Sequence, residues 1–158
     1  MGIPEIVAIV LVIVLLTGLR IAQEYERGVV FRLGRYVALR GPGLYWIIPL
    51  GLERAVTIDI RTRTVSAEQQ ETITRDSVTV KLNAVLWYRI TDAAKSVIRV
   101  ADAPAAVYQL ALTSLRNSIG QHDLDEVLQE RDKINSLLRA NIAESTGAWG
   151  VEVERFEM

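Results

Sequence analysis

The side chains best suited to chemistry gather between residues 122 and 133. His122 is the one histidine in 158 residues, and Asp123, Asp125, Glu126 and Glu130 follow it closely. An imidazole beside carboxylates is the raw material of general acid–base catalysis. Such a site also needs a nucleophile and a group that orients the imidazole. Nothing in the spacing distinguishes Asp123 from Asp125 as that group, so His122 reads as a solvated residue between two helices. The carboxylates recur at helical spacing and read as one solvated face. The chain contains no cysteine, which removes disulfides, thiolate ligands and cysteine nucleophiles together. No HExxH pattern or other ligand cluster occurs, so no metal is expected. Gly41-Pro42-Gly43 is not a phosphate cradle, because proline removes a needed N–H donor and no GxxxxGK[ST] is present. The expectation is a protein that is not an enzyme, with no catalytic residue and no cofactor.

A different chemistry is carried by Leu44, Tyr45, Trp46, Ile47 and Ile48. Two aromatic side chains with a polar tip sit among aliphatic ones, directly after the Gly-Pro-Gly turn. That mixture suits a water–lipid boundary. The stretch is expected to be a loop dipping into a membrane interface, and ordinary core is the competing reading.

Earlier in the chain, a hydrophobic run from Ile3 to Leu19 precedes these residues. Ile3, Ile6, Val7, Ile9, Val10, Leu11, Val12, Ile13, Val14, Leu15, Leu16 and Leu19 are its large apolar members, and after Glu5 no charge appears until Arg20. A helix that is apolar on all sides suits lipid. At about 1.5 Å per residue it covers roughly 25 Å, and extension through Arg20–Ala22 brings it to the thickness of a bilayer core. Residues 1–22 are therefore expected to form a membrane-spanning anchor, with re-entry instead of crossing left open. A secretory signal fits less well, because the leading charge is acidic and no small-x-small cleavage site follows. Arg20, Arg27, Arg32 and Arg35 all trail the run. The positive-inside rule then places the rest of a single-pass cell-membrane protein in the cytoplasm.

Residues 23–158 have the length of one ordinary domain or two very small ones. The net charge of −1 excludes nucleic-acid binding by bulk electrostatics. Strand character fills the first part: Gly28–Leu33, Tyr36–Leu39, Arg54–Val65, Gln70–Thr74 and Val78–Ile90. The last alternates most cleanly, with Val78, Val80, Leu82, Ala84, Leu86, Tyr88 and Ile90 toward one face. Helices follow: Asp92–Val100, one from Pro104 to about Gly120, and one from Asp123 to Gly147 opened by a capping pattern of Asp123 with Glu126. Val151–Phe156 returns to alternation. Strands, then helices, then a strand predict an α+β domain, an antiparallel sheet with helices packed on one face.

Read in order, these stretches resemble the stomatin/prohibitin/flotillin/HflK-HflC (SPFH, band 7) superfamily, most closely its prokaryotic stomatin-like (slipin) branch. The resemblance rests on Glu24-Tyr25-Glu26-Arg27-Gly28-Val29-Val30-Phe31-Arg32-Leu33-Gly34-Arg35, Gly41-Pro42-Gly43-Leu44 with Ile47-Ile48-Pro49, and Ile58-Asp59-Ile60-Arg61-Thr62. It continues through Thr74–Val80, Leu124–Asn135 and Trp149–Glu157, and covers about residues 20–158. It implies a membrane-anchored scaffold that self-assembles laterally into homo-oligomers and organises membrane microdomains or regulates membrane proteases and channels. It also implies lipid contact for Leu44–Ile48, and an NfeD-type membrane protein or a membrane protease as partner. The alternative it leaves is a monomeric or dimeric membrane-tethered adaptor for such a partner. Family members continue past the closing strand into a long coiled-coil helix, and this sequence stops at Met158, as a fragment or shortened relative would. The family's Asp-Pro before Trp-Gly is Gly147-Ala148 here.

Overall fold

A computed structural model describes residues 2–158. The chain divides into two compact units, Met1–Ile60 and Arg61–Met158.

The first unit opens with helix α1 (Ile3–Thr17). Five strands follow: β1 (Leu19–Ala22), β2 (Glu26–Arg32), β3 (Arg35–Arg40), β4 (Gly43–Trp46) and β5 (Glu53–Asp59). β1 and β4 form a two-stranded antiparallel ribbon, and β3-β2-β5 form a separate antiparallel sheet. Among the described residues of this unit, only Ala22, Val29, Val30 and Ile47 are buried large or small hydrophobics.

The expected membrane-spanning helix through Ala22 is not what forms. The helix ends at Thr17 with Gly18 as its C-cap, and Leu19–Ala22 pairs with Gly43–Trp46. Leu19 therefore belongs to a strand. Fifteen residues make a rod of about 22 Å against an apolar layer of about 30 Å. Among the described residues, no helix is long and apolar enough to cross a membrane. The physical reason is tertiary. Hydropathy treats Gly18 as one more apolar position, whereas the fold uses it as a corner where a strand partner is waiting.

The second unit is built on the sheet β6-β7-β8, with β6 at Arg63–Ile73, β7 at Thr79–Ile90 and β8 at Val151–Glu157. The alternation predicted for β7 is present: Ala84, Leu86, Tyr88 and Ile90 are buried, while Thr79, Lys81 and Arg89 are exposed. Val78 lies outside the strand and is exposed. The helices are α2 (Ala93–Ile98), α3 (Ala103–Gly120), α4 (Leu124–Gln129) and α5 (Arg131–Gly147). α3 buries Val107, Ala111, Leu115 and Ile119, and α5 buries Ile134, Leu138, Ile142 and Thr146. Each set recurs every four residues, one stripe per helix. α3 packs against β6 and α5, and α5 against β8. The single helix expected from Asp123 to Gly147 is interrupted at Glu130, whose φ of −109° and ψ of 32° are not helical. Leu128 and Leu137 are exposed.

Candidate lipid-facing surface

His122, Asp123, Glu126 and Glu130 of the second unit are engaged in local structure. His122 Nδ1 lies 2.7 Å from the Ser118 carbonyl oxygen. Arg75, in the turn between β6 and β7, donates from Nε to Asp123 Oδ1 at 2.9 Å, and its Nη2 also reaches Asp123. This hydrogen bond holds the Asp123 carboxyl below its ordinary range and raises the Arg75 guanidinium. Glu126 accepts from the Asp123 backbone N–H, closing the predicted capping box. Glu130 accepts from Lys133 Nζ at 2.9 Å, which lowers its pKa. No group of His, Asp and Glu that could hold a metal ion occurs among the described residues.

The first unit holds the chemistry of apolar surface. Helix α1 carries two polar side chains, and both are internally satisfied. Glu5 accepts from the Gly2 N–H at 3.2 Å, placing a negative charge at the positive end of the helix dipole. Thr17 Oγ1 donates to the Val14 carbonyl at 2.9 Å. No residue of α1 is buried. Ile3, Ile6, Val7, Ile9, Val10, Leu11, Val12, Ile13, Leu15 and Leu16 are exposed, and Val14 is half-buried.

The corner at Gly18 fastens this helix to the ribbon. Trp46 Nε1–H donates to the Leu15 carbonyl at 2.9 Å, and the Ile47 N–H donates to the Gly18 carbonyl at 2.9 Å. Both bonds supply carbonyls that a helix C-terminus leaves unpaired. A Cβ at Gly18 would collide with the Trp46 indole and the Ile47 oxygen, so glycine is required there by close approach.

Leu44–Ile48 forms mostly strand rather than the expected loop, and its side chains alternate. Leu44 and Trp46 are exposed, Tyr45 and Ile48 are half-buried, and Ile47 is buried at 5% exposure. The register places Leu19 opposite Trp46 and Ile21 opposite Leu44. Directly opposite residues share a face, so these four exposed apolar side chains make one face of the ribbon. The other face carries Tyr45, whose hydroxyl lies over Gly28 of β2 and leaves no room for a Cβ there. Ile47 is thus core, and Leu19 and Ile21 take exposed positions in a strand. Ile21 was not singled out in the sequence; its alternation with Leu19 across Arg20 was the available signal.

The strand after this ribbon is held by Glu53. Its carboxylate accepts from the Ile48 N–H at 2.8 Å and from Arg32 Nε at 2.8 Å. The backbone hydrogen bond first, and Arg32 second, hold its pKa below the ordinary glutamate value.

Known proteins share this arrangement of sequence. An uncharacterized protein of Archaeoglobus fulgidus is 54% identical over 150 residues, covering 95% of this chain and 60% of the relative. A stomatin homolog of Pyrococcus horikoshii is 45% identical over 156 residues, covering 99% of this chain and 58% of the relative. Stomatin-4 of Caenorhabditis elegans is 45% identical over 142 residues, covering 89% of this chain and half of the relative. The chain therefore spans about three-fifths of the first two relatives and half of the third. Residues 20–158, from the ribbon's first strand to the last residue of the chain, match the SPFH domain / Band 7 family, and the chain belongs to that family.

Proposed function

We propose that this chain is a non-enzymatic, membrane-associated scaffold subunit of the stomatin type. α1 embeds in the apolar layer of the cell membrane without crossing it, and the ribbon face of Leu19, Ile21, Leu44 and Trp46 lies at the boundary. The observation that carries this reading is a helix with no buried residue, apolar apart from two internally bonded side chains. In water such a surface is costly at about 25 cal/mol per Å²; in lipid it is not. Arg20, Arg27, Arg32 and Arg35 favour the anionic cytoplasmic leaflet. Embedding confines subunits to two dimensions and raises their effective concentration, so that weak lateral contacts between copies suffice for assembly. Stomatin names among the relatives at 45% identity support the class.

Vesicle flotation tests the embedding. The chain is expected to float with liposomes, and a Val10→Asp, Ile13→Asp variant to stay at the bottom while the second unit melts normally. Flotation of that variant would remove α1 from the reading. Native mass spectrometry in mild detergent tests the scaffold. Large assemblies support it, whereas monomers or dimers favour an adaptor that tethers a membrane protease or an NfeD-type protein.

A further inference from the structure

The sheet order β3-β2-β5 leaves β3 with a partner on one side only. The bonds of β2 reveal which groups face the open side. The Leu33 N–H donates to the Leu52 carbonyl and the Ile60 N–H to the Tyr25 carbonyl, both at 2.9 Å. These contacts share the register that sets Val29 opposite Val56, and antiparallel bonds alternate along a strand. Val29 therefore bonds toward β5, and Gly28 and Val30 bond toward β3. Their partners on β3 are Arg40 and Ala38, so Leu39, between them, points its N–H and C=O out of the sheet. The side chains of β3 sort as clearly. The β2–β3 register shifts between Val30 and Phe31, and Val37 is the extra residue. This bulge puts Arg35, Ala38 and Arg40 on one face, opposite Arg32, Val30 and Gly28, and Tyr36 and Leu39 on the other, opposite Phe31 and Val29. Tyr36, Val37 and Leu39 are exposed, although Tyr36 meets the Phe31 ring edge-on. Arg35 and Arg40 are exposed and form no ion pair among the described residues. Arg32 is already held by Glu53 and takes no part.

We infer that the open edge of β3 is a docking site for an extended segment of a partner protein, one in which acidic and apolar side chains alternate, and that this segment adds a fourth strand to the sheet. Strand addition draws affinity from main-chain hydrogen bonds and selectivity from alternate side chains. The acidic side chains of the added strand lie along Arg35 and Arg40, and the apolar ones along Tyr36 and Leu39. Three other occupants fit less well. An acyl chain covers the apolar side chains but offers nothing to the outward N–H and C=O of Leu39. A second β3 laid antiparallel in full overlap sets Arg35 opposite Arg40 at both ends, and like charges directly opposite destabilise a sheet. The β5 edge of a second copy brings Glu53, which is already engaged by Arg32 and the Ile48 N–H. The inference goes beyond the membrane reading above and does not depend on it.

The probe is a fluorescein-labelled peptide, Glu-Val-Glu-Ile-Glu-Val-Glu, with a counterpart that carries Lys for every Glu. Anisotropy is read against the full chain in a nonionic detergent. The acidic peptide is expected to bind about tenfold more tightly than the basic one, the combined effect of two exposed ion pairs. An Arg35→Glu, Arg40→Glu variant is expected to reverse that order. Equal binding of the two peptides, or binding of neither, overturns the site. Leu39→Pro removes the outward N–H and leaves the bonds to β2 in place, so it is expected to abolish binding; binding that survives it overturns strand addition. A second readout separates a blocked edge from a disturbed sheet. The acidic peptide, labelled with heavy carbon at its Ile carbonyl, is followed by infrared spectroscopy on the unmutated chain. A move of the labelled band to the strand position on binding is expected, and a band that stays at the coil position overturns the added strand.

Discussion

The two units treat apolar side chains in opposite ways. The second unit encloses them: Ala84, Leu86, Tyr88 and Ile90 of β7 are buried together with Val151, Val153 and Phe156 of β8, and α3 packs on β6 and α5 on β8. Among the described residues it leaves only Ile73, Val78, Ile98, Leu128 and Leu137 as exposed large hydrophobics. Among the described residues, the first unit encloses Ala22, Val29, Val30 and Ile47 and leaves a whole helix, a ribbon face, Leu33, Leu50 and Leu52 outside. A soluble unit of this size would be expected to do the reverse. Composition alone therefore does not report stability. Similar residues contribute to a core in one unit and to an outward surface in the other.

A matched pair of truncations puts the largest strain on this contrast. Leu138→Ala in the second unit is expected to cost about 2–5 kcal/mol, the transfer and cavity terms of a fully buried leucine. Leu11→Ala in α1 is expected to leave the melt within about 0.5 kcal/mol, because an exposed residue loses no packing. Equal losses in chemical denaturation would erase the distinction between the units.

Gly18→Val comes next. Its side chain would overlap the Trp46 indole and the Ile47 carbonyl, so the helix must leave the ribbon, at about 1–3 kcal/mol. With Trp87 and Trp149 replaced by Phe, Trp46 emission should change while the melt of the second unit stays put. An unchanged Trp46 spectrum would mean the corner is not rigid.

How much of this was legible beforehand depended on whether a signal was local. β7 could be read because alternation is a property of consecutive residues, and the Asp123–Glu126 cap because its partners are three residues apart. The end of α1 could not. It is set by Trp46, far along the chain, reaching back to Leu15. The left-handed Leu33-Gly34 and Leu50-Gly51 turns were hidden for another reason: leucine carries no turn signal. The break at Glu130 was masked by an unbroken helical pattern of charge. Within Leu44–Ile48 the residue types pointed to a boundary, but only the register of β1 against β4 separates the exposed Leu44 and Trp46 from the buried Ile47.

A smaller effect is expected from Trp46→Phe, which keeps the ring area and removes the donor to Leu15. A lost hydrogen bond of this kind costs about 1 kcal/mol, and the thermal shift should be confined to the first unit.

The smallest effect is on acid stability. Glu53, Asp123 and Glu130 all have lowered pKa values in the fold. A lowered carboxylate stabilises the folded state above its unfolded pKa of about 4, and that contribution disappears as pH falls through the lower folded value. Tm should therefore be flat from about pH 7 to 5 and fall below about 4. Asp123→Asn should flatten the fall for the second unit and Glu53→Gln for the first. A fall beginning near pH 6 would sink this assignment.

The corner at Gly18 has a mechanical consequence. With its C-terminus held by two hydrogen bonds to the ribbon, α1 acts as a crank rather than a tether. A rod of about 22 Å turned by about 10° moves its far end by roughly 4 Å. The same rotation, applied from that far end, is delivered to the ribbon and through Tyr45 to Gly28 of β2. A change in the angle at which the surrounding medium holds the helix is thereby geared down into a small, stiff displacement of the sheet.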